Sequence, residues 1–430
     1  MVPPVEIPST GGRAWIARAA SLVLLIVVLA GCGSTLKGNQ ANAGLATIIP
    51  TSGKAASCPA TVVNTLASVL DRVYREGVVS ERTASAQYMV THSRALREAV
   101  ETGNKPAAEA AAAALLATGH LTNLRITRGG QTFISAGGSA LSPLRGTLLG
   151  ASGSQIGSYV TSVWADNGFL IEAAGITQGE VDLRADGRSI YGSLALPPGA
   201  LSKEGALIFD HVTYQFSSLP ASTYPTGTAR IYLLIPVSST HSLCGRTSED
   251  TTVNTLKHVA DRIYTGESGD SARKQIRRVQ QNKALLEAVA QRNPAATELA
   301  IKALLNHHIV RLRVSAGGEL LSDVGGPYVL APVSAPLTLH GHTIGSFVLS
   351  IQDDEGYLRL TRRLAGLKVL MYMSPGNQLV KNSLGPVTGE VPASGSYSYN
   401  GKSFRVFTVH AKEFPSGPLT IRVLVPLPYS

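Results

Sequence analysis

The stretch Val63-Asn64-Thr65-Leu66 decides the fold of this chain, because it returns about 190 residues later as Val253-Asn254-Thr255-Leu256. Further segments recur in the same order. They include Asp71-Arg72-Val73-Tyr74 with Asp261-Arg262-Ile263-Tyr264, Gly157-Ser158-Tyr159 with Gly345-Ser346-Phe347, and the strand ends Ile235-Pro236 and Val425-Pro426. A period this long far exceeds that of a solenoid unit. Each copy is therefore expected to be a whole domain with its own core.

Within each copy, the apolar pattern changes from a helical period to a strand period. Two stripes at helical spacing open the first copy; they are Val62, Val63, Leu66, Val69, Leu70 and Val73, and then Tyr88, His92, Ala95, Leu96 and Ala99. Pro106 and Pro294 introduce a further helix in the two copies, as proline in a first turn does. In the second copy, apolar and polar residues then alternate over 344–351, as in a strand. A further strand over 368–373 and a closing hairpin follow. The prediction is an α+β fold, with helices before a mostly antiparallel sheet in each copy.

This order of elements resembles the Cache class of PAS-like extracytoplasmic sensor domains over residues 60–237 and 250–428. The resemblance rests on strands turned by paired glycines, 124–133 and 312–321, and on the pairs Gly153…Gly157 and Gly341…Gly345. The Arg-x-Trp-Tyr signature of amino-acid-binding members is absent from the sequence. The resemblance therefore implies a sensory binding domain but assigns no ligand residues.

The N-terminal segment is typical of export. Arg13 and Arg18 precede an apolar run over 19–30, which is shorter than the roughly 20 residues that cross a bilayer as a helix. Leu29-Ala30-Gly31-Cys32 resembles the lipobox of bacterial lipoproteins, which implies lipidation at Cys32; an ordinary signal peptide is the alternative. We expect a signal over 1–31, a flexible tether over 32–57, Cache-like domains over 58–238 and 253–430, and a linker over 239–252.

Lipidation of Cys32 would leave Cys58 and Cys244 as the remaining cysteines. Each lies a few residues ahead of the first predicted helix of its copy, so a disulfide between them is predicted for an oxidising compartment, with two separate buried thiols as the alternative. Such a bridge closes a loop of nearly 190 residues, and the chain-entropy model gives a stabilisation of about 5 kcal/mol for restricting the unfolded chain in this way.

The net charge of +10 comes from scattered residues, without basic runs interleaved with aromatics. Nucleic acid is therefore not an expected partner, and a solvated basic surface explains the charge.

Candidate ligand-binding residues concentrate in the second copy, where two loops are more polar than their counterparts. The first loop is residues 323–328, which corresponds to 136–139 in the first copy. The second is residues 352–357, which corresponds to 164–169. A small-molecule site needs a few polar groups on an apolar wall. The candidates are His308, Arg313, Tyr328, Asp354, Tyr357 and Lys381. The alternative assigns Asp353-Asp354 to a helix cap and places Arg311 and Arg313 on the solvent face of an edge strand.

Metal and enzyme motifs give no positive prediction. His307-His308, His340-x-His342 and Asp353-Asp354 lack diagnostic spacing, so no metal and no cofactor is predicted. Nucleophile-elbow, zincin and dinucleotide motifs are absent, and adjacent acids such as Asp353 and Asp354 rarely reach the opposed geometry of a glycosidase.

These observations predict a non-catalytic lipoprotein on the extracytoplasmic face of the cell membrane. It would bind a small ligand or an envelope partner. No output segment follows the last predicted strand in this sequence, so any signal is expected to pass through a separate transducer. The alternative is a structural or adhesive envelope module without a pocket.

Overall fold

A computed structural model describes residues 47–49, 57–199, 201–225, 227–266, 269–305, 309–327, 329–373, 377–387, 389–414 and 417–429. Cys32, His308 and Tyr328 lie outside these residues, as does the predicted signal. Across the described residues, no helix has both the length and the apolar character needed to cross a bilayer.

The first copy begins with a long helix and three shorter ones. Ser57 accepts a hydrogen bond at the start of the long helix, and Ser80 forms a capping box at the start of the second. Pro106 lies in the first turn of the fourth. The helices are α1 (Cys58–Arg75), α2 (Glu81–His92), α3 (Arg94–Thr102) and α4 (Lys105–Ala117).

Two antiparallel sheets complete the first copy. The strands and helices are β1 (Thr47–Ile49), β2 (Asn123–Arg128), β3 (Gln131–Gly137), β4 (Ala140–Leu141), β5 (Leu144–Leu149), β6 (Gln155–Ser162), β7 (Trp164–Ala165), α5 (Asp166–Thr177), β8 (Glu180–Ala185), β9 (Arg188–Gly192), β10 (Glu204–Phe209), β11 (Val212–Tyr224), β12 (Gly227–Pro236) and α6 (Val237–Thr240). The smaller sheet has the order β3-β2-β6-β5 and shares a core with α2–α4. The larger has the order β1-β10-β11-β12-β8-β9, with β4 paired to β11 and β7 paired to β4.

The second copy repeats this plan. Its elements are α7 (Ser248–Gly266), α8 (Asp270–Gln280), α9 (Lys283–Ala290), α10 (Pro294–Leu305), β13 (Arg311–Ala316), β14 (Glu319–Gly325), β15 (Val329–Leu330), β16 (Val333–Leu339), β17 (His342–Ser350), β18 (Gln352–Asp353), α11 (Asp354–Ala365), β19 (Lys368–Met373), β20 (Gln378–Asn382), β21 (Gly395–Tyr399), β22 (Lys402–Phe414) and β23 (Gly417–Leu427). The sheets have the orders β14-β13-β17-β16 and β18-β15-β22-β23-β19-β20, with β21 on β22. The predicted α+β class in two tandem copies is confirmed.

The largest hydrophobic core is shared by the two copies. Helix α1 has buried adjacent pairs such as Val62/Val63 and Val69/Leu70. Its apolar face is therefore wide enough to pack against more than one neighbouring element. It packs against α7, α11 and the sheet strand β11, and the core includes α5 and the inner faces of both larger sheets. Each smaller sheet also encloses a core within its own copy, and so does one face of each larger sheet. The expectation of one separate core per copy is thus met only in part.

Cys58 and Cys244 form a disulfide between the copies, with a Cα–Cα distance of 5.7 Å. The bridge lies beside the packed helices α1 and α7, because Cys58 is the first residue of α1 and Cys244 shortly precedes α7. It closes a loop across a sequence separation of 186 residues.

Two local expectations differ from the structure. The second apolar stripe is buried only at Leu96 and Ala99, whereas Tyr88, His92 and Ala95 are exposed, and the rings of Tyr88 and His92 stack with centroids 3.8 Å apart. The reason is Ser93, which ends α2 and caps α3, so the helical face rotates at that residue. In addition, the expected flexible tether includes Thr47–Ile49, which pairs with β10 as a strand.

Candidate functional site

A cleft of about 920 Å³ lies between the two copies. We call it the inter-copy cleft. Its first wall comes from the end of α1, the start of α2, Trp164 and α5, and its second wall from α11 and the end of β20. The lining residues are Val73, Glu76, Ser80, Glu81, Arg82, Trp164, Glu172, Glu355, Leu358, Arg359, Leu360, Arg362, Arg363, Leu364, Asn382 and Ser383.

Charged side chains dominate this cleft. Arg363 pairs with Glu76 of the other copy, and the Arg82 guanidinium lies over the Trp164 ring at 5.2 Å from its centroid. Arg359 and Arg362 lie one helical turn apart on α11, and neither forms an ion pair within the described part of the chain. The cleft therefore has an arginine stacked on an aromatic ring in one wall and two further guanidinium groups in the other.

One end of the cleft is built on the N-terminus of α11. The Asp353 carboxylate accepts a hydrogen bond from the Gly356 backbone N–H at 2.6 Å and caps the helix. Lys381 on β20 donates to Glu355 at 2.7 Å and lies 3.4 Å from the Asp354 carboxylate. Two of the predicted ligand residues, Asp354 and Lys381, are thus in contact. The predicted capping role belongs to Asp353.

A second buried acid, Glu413, lies near Asp354 and Lys381. Leu330 of β15 pairs with Glu413 on one side and with Gln352 on the other, which brings Glu413 toward the start of α11. Glu413 is only 3% exposed, and its Oε1 atom lacks a hydrogen bond to any described residue. Burial, together with the negative charge of Asp354, raises the pKa of Glu413 to about 7, while Lys381 opposes this shift. Burial also raises the pKa of Asp354.

We predict that Glu413 makes the stability of the protein fall with pH near neutrality. Its folded-state pKa of about 7 exceeds the ordinary value of 4.5, so folding takes up a proton between these values. The stabilisation is complete below pH 4.5 and is lost as the pH rises through 7. Glu413→Gln should reduce the fall in melting temperature between pH 5 and 7.5, because above this range Glu413 is ionised in both the folded and the unfolded state. An equal fall in wild type and variant would contradict this assignment.

Arg313 has a structural partner outside the cleft lining. It donates to Asp323 at 2.6 Å and lies over the Phe414 ring at 4.6 Å, while Arg311 binds the same carboxylate. These two arginines hold the pKa of Asp323 below its ordinary value, against the opposing effect of burial. The alternative interpretation of an exposed edge strand is wrong, because β13 is central between β14 and β17. The arrangement explains Arg313 as a bridge between sheets.

Tyr357, another predicted ligand residue, is fully buried in the shared core. Its hydroxyl donates to the Ala260 carbonyl at 3.3 Å, and its ring meets Tyr264 edge to face. Burial raises its pKa. Phe169 occupies the corresponding position of the first copy and is equally buried. We therefore assign Tyr357 to packing.

The other sequence candidates leave the site incomplete. His308 and Tyr328 lie outside the described residues, and so does His307. His340 and His342 are exposed at the turn between β16 and β17. Among the described residues, no group of three His, Cys, Asp or Glu side chains could hold a metal ion.

Sequence reasoning missed the first-copy wall of the cleft, including Glu76, Arg82 and Trp164. A repeat of whole-domain length predicts a site within each copy and gives no indication of a site built from both copies. The signal that could have revealed it is the predicted Cys58–Cys244 bridge, because a disulfide at the starts of α1 and α7 brings the two copies together.

Comparison with known proteins adds two distant likenesses. Protein-family models and curated proteins give no match. The ligand-binding domain of the Pseudomonas fluorescens chemoreceptor CtaA, in complex with L-isoleucine, is 14% identical with a TM-score of 0.23, over 39% of this chain and 87% of that one. An extracellular ligand binding receptor from Desulfohalobium retbaense is 10% identical with a TM-score of 0.21, over 53% of this chain and 47% of that one. At such TM-scores, neither likeness decides what this chain does.

Proposed function

We propose that this chain is an extracytoplasmic, lipid-anchored binding protein that holds a small ligand in the inter-copy cleft and catalyses no reaction. The observation that carries the proposal is the cleft itself. Its volume of about 920 Å³ lies within the range typical of small-molecule sites. Trp164 and the leucines of α11 supply apolar surface, and Arg359 and Arg362 supply donors for orienting a ligand.

Covalent chemistry supports a location outside the cytoplasm. The Cys58–Cys244 disulfide suits an oxidising compartment, and the export segment ends at the lipobox-like Cys32. Two or more acyl chains give a stable anchor, since each buried methylene contributes about 0.8 kcal/mol. Cell fractionation tests the anchor: Cys32→Ser should move the protein out of the membrane fraction, and unchanged retention there would refute lipidation at this residue.

A thermal-shift screen of residues 33–430, with the disulfide intact, tests the binding function. The compounds are small carboxylates, amino acids, purines, sugars and divalent metals. Binding to the native state alone stabilises it by RT ln(1 + [L]/Kd), about 2.7 kcal/mol at a hundredfold excess over Kd. We expect one compound class to raise the melting temperature by several degrees. If every class leaves it unchanged, the structural or adhesive module becomes the better account.

A further inference from the structure

The edge strands of this protein differ sharply in how they are protected. An edge strand exposes unpaired backbone N–H and C=O groups, and proteins blunt such edges with bulges, charges or proline. Among the described strands of five or more residues, six open edges show a register irregularity against their neighbour. They are β3, β5, β9, β14, β16 and β20.

Strand β21 is the exception within the described sheets. It pairs with β22 in continuous register over five residues, and its other edge meets no described strand. Its sequence, Gly395-Ser396-Tyr397-Ser398-Tyr399, contains no charge and no proline. Ser396 and Ser398 are exposed. This edge therefore carries none of the usual devices that prevent strand addition.

The first copy shows how the same edge is used. Strand β10 occupies the position of β21, and there the chain's own Thr47–Ile49 adds as an antiparallel strand. Thr47 pairs with Ile208 and Ile49 pairs with Ala206. Aligning the two hairpins at their turns places Ser398 and Ser396 of β21 at the positions of Ile208 and Ala206.

The hairpin turns fix which backbone groups are free. Asn400 and Gly401 both have positive φ, as in the type I′ turn of a two-residue loop, so the flanking pair Tyr399 and Lys402 is hydrogen-bonded. The backbone N–H and C=O groups of successive residues point to opposite sides of a strand, so those of Tyr397 also face β22. Ser396 and Ser398 therefore point their N–H and C=O groups to the open edge.

We propose that β21 receives an extended segment of a partner protein as an added antiparallel strand, with Ser396 and Ser398 supplying the backbone hydrogen bonds. This interaction surface is independent of the ligand proposed for the inter-copy cleft. The partner segment is uncharged and rich in β-branched residues, like Thr47-Ile48-Ile49 on β10. Main-chain pairing of this kind gives affinity through the sheet edge and specificity through alternate side chains.

The test uses a fluorescein-labelled peptide with the sequence of residues 44–52, Gly-Leu-Ala-Thr-Ile-Ile-Pro-Thr-Ser, and the full mature chain. Fluorescence anisotropy should show binding to wild type that Ser398→Pro weakens at least tenfold, because proline removes an outward N–H. Ser398→Val keeps that N–H and should bind within twofold of wild type. Ser396→Pro provides a second variant, and circular dichroism confirms that each variant is folded.

The peptide itself supplies a control that needs no variant. N-methylation at its Ile49 position removes a donor of a hydrogen-bonded pair and should abolish binding, whereas N-methylation at Ile48 should not. Equal binding to wild type and both folded proline variants would overturn the proposal, because the peptide would then be exchanging with β1 on β10. Absence of binding to wild type would overturn it as well.

Discussion

Replacing Cys58 and Cys244 by serine is expected to lower the free energy of unfolding by about 2–5 kcal/mol, the range for loss of a native disulfide. The bridge spans 186 residues of sequence, so it restricts the unfolded chain strongly, and the chain-entropy model gives about 5 kcal/mol as the upper value. It also lies next to the packed helices α1 and α7, on which the shared core depends. Urea-induced unfolding followed by circular dichroism measures the change.

The control for this prediction is chemical. Wild-type protein reduced with dithiothreitol should show the same loss as the double variant, because both lack the cross-link and retain every other contact. A double variant as stable as the oxidised wild type would show that the bridge contributes nothing to the native state. A loss in the variant without a loss on reduction would assign the effect to serine substitution.

Tyr357→Ala should destabilise the protein by about 3–5 kcal/mol, as removal of a large buried aromatic side chain does. The residue is fully buried in the shared core between α7 and α11. Tyr357→Phe, which copies Phe169 of the first copy, should cost only about 1 kcal/mol through loss of the hydrogen bond to Ala260. Urea unfolding of the three proteins gives both differences.

The contrast between these variants separates packing from ligand contact. If Tyr357 acted as a ligand residue, Tyr357→Ala would lose a thermal shift while keeping its stability, and that result would contradict our assignment. A folded Tyr357→Phe protein should keep any shift shown by wild type. The prediction therefore holds without knowledge of the ligand.

Much of the fold can be predicted from the local periodicity of apolar residues. The stripe from Val62 to Val73 is buried as predicted, and strand β19 spans the predicted Lys368–Met373. These elements follow from spacing within a few turns or residues. The break at Ser93 was missed because the apolar spacing continues across it, while a serine cap redirects the chain. The shared core was missed because it depends on contacts between copies far apart in sequence.

The site was only partly predictable for a related reason. Polar loop composition in the second copy predicts Asp354 and Lys381 as site residues, and they do meet at the start of α11. The same composition predicts Tyr357, which instead lies on the buried face of that helix. Glu413 was missed, since its proximity to α11 arises from the pairing of β15 with β18 and β22. Loop composition identifies candidate residues, whereas sheet pairing determines which of them meet.

The most direct test of the central claim is a thermal-shift titration of the most stabilising screened compound into wild type and Arg359→Ala/Arg362→Ala. These arginines line the inter-copy cleft, and Arg94→Ala/Arg97→Ala, with the same spacing on α3, is the matched control. We predict that the shift disappears in the cleft variant and persists in the control. A shift of unchanged size in the folded cleft variant would contradict a binding site between the two copies.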